Sequence, residues 1–155
     1  SLQKKGLFEN LFKMSVLIRT GSDQVKLDAL LDTGNQLRDP MTGHPVIVVE
    51  FTPLKPLLPA QVSTFFEKEG EAEIWEILSS LGGDGAAPRF SAIPFQSLGR
   101  TNGLMLGYRP DEVILERNGR QTRVVKAVLA IYSKSLVHDG SYHALLGPNL
   151  LDWAS

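Results

Sequence analysis

Residues 29–35 read Ala-Leu-Leu-Asp-Thr-Gly-Asn and are the most informative stretch of the chain. Its two leucines end a strand-like run, and the Asp-Thr-Gly that follows has the small, polar character of a turn. A carboxyl group that directly follows a buried strand is held at a fixed height relative to the core. The stretch therefore predicts a mainly β protein in which Asp32 is the first candidate for a chemical role.

Strand-like runs surround this stretch on both sides. Residues 14–20 and 25–31 flank the turn residues Gly21-Ser22-Asp23 and predict a β-hairpin that leads into Asp32. Asn118-Gly119 is the strongest hairpin signal in the chain, because both residues tolerate the positive φ angles of a tight turn. Further strands are predicted at residues 46–51, 90–95, 104–108, 112–117, 121–125, 127–132 and 144–146.

A segment of helical character interrupts the strands between about residues 53 and 88. Residues 60–69 and 71–81 are rich in helix formers, and apolar residues recur there at spacings of three and four, at Ile74, Ile77, Leu78 and Leu81. This pattern predicts a helical insert. Three aromatic residues of the insert are interpreted as core side chains, with an interaction face as the alternative: Phe65, Phe66 and Trp75.

Composition bounds the possible functions. The 155 residues are 43% hydrophobic, which fits one compact core, and the net charge of −1 provides no general attraction to nucleic acid or to an anionic membrane. The chain has no cysteine, so disulfides and thiolate metal sites are excluded. Its three histidines form no metal-ligand pattern with acidic residues, and we expect neither a metal nor another cofactor.

If Asp32 is catalytic, each neighbour has a physical role. Thr33 can donate its hydroxyl across a symmetry axis to the backbone of a second copy, and Gly34 allows close backbone approach because it has no Cβ. Two carboxyl groups about 3 Å apart cannot both ionise and share one proton. One of them can then act as a base on bound water while the other protonates a carbonyl oxygen.

Two later segments have the character that such a site needs. The string Leu145-Leu-Gly-Pro-Asn-Leu-Leu151 places a second apolar-glycine turn near the C-terminus, and Pro148 suits the start of a short helix. Between residues 95 and 104 lies a glycine-containing tip. We interpret it as a mobile flap over substrate, with a plain surface hairpin as the alternative. The flap residues are Ser97, Leu98, Gly99, Arg100 and Thr101.

This order of motifs resembles the retropepsins, the single-lobe aspartic proteases of retroviruses. The resemblance covers about residues 14–152 without the insert, and it implies a retropepsin-like acid-protease half-barrel with a helical insert. It also implies that Asp32 is the catalytic aspartate and that Asp28 matches a family acidic position. The implied supporting residues are Thr33, Gly34, Asn35, Gly147 and Asn149, with Leu150 and Leu151. Two positions depart from the family: Asn35 replaces Ala or Ser, and Pro148 replaces Arg, so the ion pair of that helix is expected to be absent.

A closer resemblance rests on residues 31–40, Gly43-His44-Pro45-Val46, Ile93-Pro-Phe-Gln-Ser97 and Ala144–Leu151. These stretches are similar to the protease half of the sporulation sigma-E factor-processing peptidases of endospore-forming Gram-positive bacteria. The resemblance implies that residues 1–13 link a membrane region to a protease domain at residues 14–155 that faces the cytoplasm. It also implies a sigma factor precursor as substrate, loss of its N-terminal pro-sequence, and an activating signalling protein as a further partner.

Other interpretations stay open beside this one. The chain contains a single Asp-Thr-Gly, so a two-lobed monomer lacks its second half, and a homodimer with one shared site is expected. A serine triad could be drawn from Ser97, His138 and Asp139, but no nucleophile-elbow motif supports it. A retropepsin-like dimer that binds a partner without cutting it is the alternative from another class. A retroviral-like protease of the ubiquitin-shuttle type is the third option.

Overall fold

The computed structural model describes residues 13–68, 73–82, 89–96, 103–124 and 126–153. Within these residues, nine strands form one sheet in the order β4-β5-β8-β3-β9-β2-β1-β6-β7. The predicted mainly β fold is confirmed. No helix in these ranges has the length and apolar character that crossing a membrane requires.

The hairpin that leads to Asp32 has the predicted form. β1 (Lys13–Thr20) and β2 (Asp23–Leu31) pair antiparallel from Lys13 opposite Leu30 to Thr20 opposite Asp23. Gly21 in the connecting turn has a φ of +61°, a conformation that glycine adopts without a Cβ clash. Along both strands, buried residues alternate with more exposed ones, so one face of the hairpin lies on the core.

The helical segment follows β3 (Val46–Glu50), a strand whose five residues are all buried. It consists of α1 (Phe51–Leu54), a 3-10 helix (Lys55–Leu57), α2 (Ala60–Glu67) and α3 (Ile74–Leu81). The two predicted helices are confirmed, although α2 ends at residue 67. Helical structure also begins earlier than predicted: Phe51, assigned to a strand from the sequence, starts α1 and stacks on Phe66 with ring centroids 4.9 Å apart.

The expected core role of Trp75 is wrong, because its side chain is 60% exposed. The apolar face of α3 runs through Ile74, Ile77, Leu78 and Leu81, and residue 75 lies off that face by about one-quarter turn. Phe65 and Phe66, in contrast, pack against the main core as predicted.

The strands of the second half are β4 (Phe90–Phe95), β5 (Gly103–Tyr108), β6 (Glu112–Arg117), β7 (Arg120–Val124), β8 (Val128–Tyr132) and β9 (Ala144–Leu146). Asn118 and Gly119 have φ angles of +52° and +74° and form the predicted tight turn between β6 and β7. The predicted short helix after β9 is a 3-10 helix (Pro148–Trp153).

The placement of β9 determines the site. This short strand lies between two strands from the first third of the chain, parallel to β2 and antiparallel to β3. Residues from the C-terminal end of the sequence are thereby brought beside the end of β2, where the Asp-Thr-Gly turn begins.

Apolar residues form two clusters. The main cluster packs β1, β2 and β6 together with the helices, and includes Val16, Ile18, Leu54 and Leu81 among its fully buried members. A smaller cluster is centred on Val46, Val48, Ile93, Val128 and Ala130. Because β3 alternates, Val46 and Val48 point to the opposite side of the sheet from Ile47 and Val49 of the main cluster.

Candidate active site

Asp32 stands where β2 ends, and its backbone is fixed by β9. Leu31 is paired in parallel with Leu146, and the Asp32 amide donates a 2.7 Å hydrogen bond to the Leu146 carbonyl oxygen. The Asp32 residue is half-buried. The residue is therefore held at a boundary between core and solvent.

The turn after Asp32 also holds the carboxyl group. The Asn35 amide donates to the Asp32 carbonyl oxygen at 3.0 Å and closes the turn. The Gly34 amide donates to Asp32 Oδ1 at 2.9 Å. A Cβ at residue 34 would lie 3.3 Å from that same oxygen, which is tighter than ordinary van der Waals contact. The glycine thus lets the amide approach the carboxyl without pushing it aside.

Thr33 and Gly34 are both exposed at the tip of this turn. An exposed hydroxyl beside Asp32 is available to a second copy of the chain, which is the role proposed for Thr33 from the sequence. That role concerns a contact between chains and stays a prediction.

Asn35 is buried, with 8% of its surface exposed, and its side chain joins three segments. Its amide nitrogen lies 3.4 Å from the Val46 carbonyl oxygen and 3.3 Å from that of Leu145. Its amide oxygen accepts the Leu37 amide at 3.1 Å. The asparagine that departs from the retropepsin pattern is therefore a structural cross-link between the turn, β3 and β9.

Gly147 packs directly against the turn. A Cβ on Gly147 would lie 2.2 Å from the Asn35 carbonyl oxygen, so any side chain at this position requires the backbone to move. The next residues form the C-terminal 3-10 helix, in which the Leu150 amide donates to the Gly147 carbonyl oxygen at 3.2 Å. Asn149 in this helix is half-buried, and Leu150 is 2% exposed in the main cluster. The structure thus brings Gly147 into contact with the Asp32 turn and places Asn149 two residues further along.

An apolar surface adjoins the turn. The smaller cluster has partly buried members at its margin, namely Leu37, Met105, Tyr132, Leu136 and Leu145. Two of these, Leu37 and Leu145, supply the backbone groups that the Asn35 side chain binds. The surface is therefore connected to the Asp32 turn and has side chains that are partly open to solvent.

The flap residues and Asp28 are the remaining residues that the sequence assigned to the site. Residues Ser97, Leu98, Gly99, Arg100 and Thr101, assigned to the flap, lie outside the described residues. The strands that flank them, β4 and β5, form the expected antiparallel pair. The Asp28 side chain is more than half exposed, with Lys13 Nζ at 3.7 Å from Asp28 Oδ2, so its carboxyl is part of a surface ion pair.

A buried acid that the sequence reasoning missed lies close to β9. Glu50, at the end of β3, is 7% exposed, and its Oε1 lies 3.0 Å from His143 Nδ1. The signal in the sequence was an acidic residue that directly continues the apolar run Val46-Ile-Val-Val. His143 has no comparable signal, because it forms no motif with its sequence neighbours. Across the described ranges, no three His, Asp or Glu side chains are grouped closely enough to hold a metal ion.

The chain thus presents the Asp32 carboxyl at a strand end, with its backbone and one of its oxygens fixed by hydrogen bonds. This arrangement fits a group that must keep a defined position while accepting or donating a proton. The Asp32 carboxyl accepts the Gly34 amide, while the Asp32 backbone donates to the Leu146 carbonyl oxygen and accepts the Asn35 amide, so none of these three contacts involves a second acid.

Comparison with known proteins identifies the family. The model of a peptidase family described as "Sporulation factor SpoIIGA" matches residues 1–150. Because the match covers nearly the whole chain, the chain is a member of a peptidase family. It belongs to the family of the sporulation factor SpoIIGA, which confirms the resemblance to the sigma-E factor-processing peptidases.

Three relatives agree with this assignment. A protein of Bacillus thuringiensis subsp. kurstaki, named as a sporulation sigma factor-processing peptidase, is 27% identical over 89% of this chain and 83% of its own length. Sporulation sigma-E factor-processing peptidases of Priestia megaterium and Bacillus subtilis are 27% and 26% identical, over 93% and 90% of this chain. The matched part is 45% and 44% of those two proteins, so the chain spans less than half of their length. No solved structure matches the chain significantly.

Proposed function

We propose that the chain is an aspartic endopeptidase that works as a homodimer, with Asp32 of each copy in one shared site. The observation that carries the proposal is the hydrogen bond from the Asp32 amide to the Leu146 carbonyl oxygen at the paired ends of β2 and β9. This bond fixes the Asp32 backbone where β2 ends, and a two-fold axis beside these strand ends can bring a second carboxyl opposite that of Asp32.

The reaction follows from a pair of carboxyl groups that share one proton. The ionised member takes a proton from a bound water, and the water oxygen forms a bond to the carbon of the scissile carbonyl. The protonated member gives its proton to the carbonyl oxygen. As the intermediate collapses, the carbon–nitrogen bond breaks and the leaving amine takes up a proton from the pair. One hydroxyl of the intermediate gives its proton back to the pair, so the products are a carboxylic acid and an amine and the pair again shares one proton. The turn formed by Thr33, Gly34 and Asn35 keeps each carboxyl in place throughout.

The proposed substrate is a sigma factor precursor, which loses its N-terminal pro-sequence. The support is the name shared by the relatives from Priestia megaterium and Bacillus subtilis. An extended segment of the precursor lies between the two chains and adds its backbone as a strand. The partly open apolar surface at Leu37, Met105 and Leu145 adjoins the Asp32 turn and suits apolar side chains of such a segment. The flap assigned to residues 97–101 from the sequence is part of the proposal and lies outside the described residues.

The proposed setting is a longer membrane protein. Residues 1–13 are its linker, residues 14–155 its protease domain on the cytoplasmic side, and an activating signalling protein is a further partner. Attachment to a membrane raises the local concentration of the domain and thereby favours pairing of two copies.

The decisive experiment compares Asp32→Asn and Asp32→Ala with the unchanged chain. Each form is incubated with purified precursor, and the shortened sigma factor is measured over time. We expect no cleavage by either variant and an unchanged unfolding temperature, because the variants remove the acid without opening the core. Asp28→Asn is the matched control: it changes an exposed carboxyl on the same strand and should leave cleavage within about twofold.

The same experiment separates the proposal from its alternative. Cleavage that persists in folded Asp32→Asn contradicts the aspartic mechanism. The alternative predicts that the wild-type chain binds the precursor without cutting it and that a statine-type inhibitor has no effect. That result would indicate a dimerisation or partner-binding module.

A further inference from the structure

Glu50 is a buried carboxyl group whose two oxygens both have partners. Oε1 lies 3.0 Å from His143 Nδ1, and Oε2 accepts the Leu136 amide at 2.9 Å. An ionised carboxylate only accepts hydrogen bonds, so His143 Nδ1 carries the donated proton when Glu50 is ionised. Taking a carboxyl group out of water is costly unless it is paired and hydrogen-bonded. The contacts of Glu50 meet that condition.

His143, just before β9, makes three contacts with the two strands that flank β9. Its amide donates to the Asp28 carbonyl oxygen of β2 at 2.8 Å, and its carbonyl oxygen accepts the Glu50 amide of β3 at 3.0 Å. Its ring binds the Glu50 carboxyl. Backbone and side chain together thus attach this one residue to both neighbours of β9.

The attachment matters because β9 has only three residues, Ala144–Leu146. A strand of this length has few ladder bonds, so its position depends on what holds its ends. The first end is held by His143 and Glu50. The second end supplies the Leu146 carbonyl oxygen that binds the Asp32 amide.

We propose that Glu50 and His143 are positioning residues that hold β9 in place and thereby fix the Asp32 turn for catalysis. The inference rests on the proposed function, because it assigns these residues to the same reaction. Neither side chain is needed to touch the substrate. Their effect is transmitted along β9 to the carboxyl of Asp32, whose partner in the second copy must lie about 3 Å away.

Two measurements test the inference. The first is cleavage of purified precursor by the full-length protein, with kcat and KM determined separately. We expect Glu50→Gln and His143→Leu to lower kcat by about tenfold or more, since small displacements of reacting groups have effects of this size. KM should stay within about twofold, because substrate contacts are unchanged. His143→Asn, which retains a side-chain donor near the position of Nδ1, should recover part of the lost kcat.

The second measurement is hydrogen exchange at the Asp32 amide, which reports on its bond to Leu146 without depending on activity. We expect exchange there to become at least about tenfold faster in Glu50→Gln, from local opening of β9. If Glu50→Gln does not accumulate as folded protein, His143→Leu serves for both measurements, with His143→Asn as the variant that should recover part of each effect.

Two control variants separate positioning from general destabilisation. Glu67→Gln breaks the exposed ion pair of Glu67 with Lys55 on the helices, and both readouts should match the unchanged chain. Val62→Ala opens a cavity in the main core far along the chain from β9 and lowers the unfolding temperature. It should leave kcat unchanged at a temperature where the protein is folded.

The outcomes are distinguishable. A normal kcat in folded Glu50→Gln and His143→Leu overturns the inference, as does an equal loss of kcat in Val62→Ala of matched stability. If the proposed aspartic mechanism itself is wrong, the result is different: cleavage persists in Asp32→Asn. In that case, unchanged exchange at the Asp32 amide in Glu50→Gln still overturns the structural part of the inference.

Discussion

Gly147 lies so close to Asn35 that a Cβ at residue 147 would be 2.2 Å from the Asn35 carbonyl oxygen. The two residues come from opposite ends of the sequence, and their backbones meet beside Asp32. The contact is between main-chain atoms, which cannot swing aside as the end of a long side chain does. It therefore sets the distance between the Asp-Thr-Gly turn and the segment after β9.

Gly147→Ala should destabilise the fold as well as the site. Relief of this contact requires a shift of the turn or of the C-terminal 3-10 helix, and overpacking of this kind costs about 1–3 kcal/mol. The free energy of unfolding, measured by urea titration, should fall by that amount. Gly82→Ala is the control, because a Cβ there meets nothing closer than 3.4 Å. Equal stability of both variants would contradict the steric argument.

Gly34→Ala should separate activity from stability. The added methyl group would lie 3.3 Å from Asp32 Oδ1 and displace the carboxyl, at a residue that is itself exposed. We expect kcat for precursor cleavage to fall by about tenfold to a hundredfold with little change in unfolding temperature.

Gly119→Ala is the control for Gly34→Ala and should have the reverse effect, a loss of stability without a loss of activity. Residue 119 has open space around it but a φ of +74°, so alanine there should cost about 1 kcal/mol of stability and leave kcat unchanged. If Gly34→Ala retains full kcat, the Asp32 carboxyl does not depend on the space that this glycine leaves.

Asn35→Ala should weaken the junction of the turn with β3 and β9. It removes the partner of the Val46 and Leu145 carbonyl oxygens and of the Leu37 amide in a buried position. Leaving such groups without a partner costs about 1–3 kcal/mol, to be measured as the free energy of unfolding. Gln36→Ala changes the exposed neighbour and should be neutral within about 0.5 kcal/mol. A neutral Asn35→Ala would show that water replaces these bonds.

The local parts of the fold were predictable from the sequence. The hairpin at Asn118-Gly119 depends on two adjacent residues with positive φ, and the turn after β2 is encoded by the Asp-Thr-Gly itself. The exposure of Trp75 could also have been predicted, because it lies off the apolar face of α3 that the spacing defines. The start of α1 at Phe51 could not, since it depends on a ring contact with Phe66 from another helix.

The parts built by distant contacts were not predictable. A three-residue strand such as β9 has no periodicity to show which strands it joins, and its place between β2 and β3 comes from the tertiary structure. The pair of Glu50 and His143 spans 93 positions, and neither residue forms a motif with its sequence neighbours. The sequence therefore pointed to Asp32 and to Gly147 beside its turn, but not to the strand pairing of β9 or to the contact between Glu50 and His143.

Acid should destabilise the corner where β1 meets β6. The amide of Gly21 and then Arg89 lower the pKa of Asp111 from 3.8, and Arg19 lowers the pKa of Glu112 from 4.5. A carboxyl whose folded pKa is depressed stabilises the fold above its unfolded pKa, and this stabilisation is lost as pH falls through the folded pKa. The unfolding temperature should therefore decrease from about pH 5 towards pH 3, and less steeply in Asp111→Asn and Glu112→Gln. Arg89→Gln, which removes one partner of Asp111, should also flatten the profile; parallel profiles in all variants would contradict it.

A shared site predicts that inactive chains suppress active ones. Asp32→Asn chains should still pair with wild-type chains, because the change leaves the fold intact, and a mixed pair then has only one acid. With random pairing at saturating concentration, an equal amount of Asp32→Asn should lower wild-type cleavage to about half, and a roughly ninefold excess to about a tenth. The precursor must be in large excess, so that the inactive chains do not deplete it, and an inert protein at the same concentration is the control. Cleavage that is proportional to the amount of wild-type chain at every ratio would mean that each chain works alone, and the two-carboxyl site would be excluded.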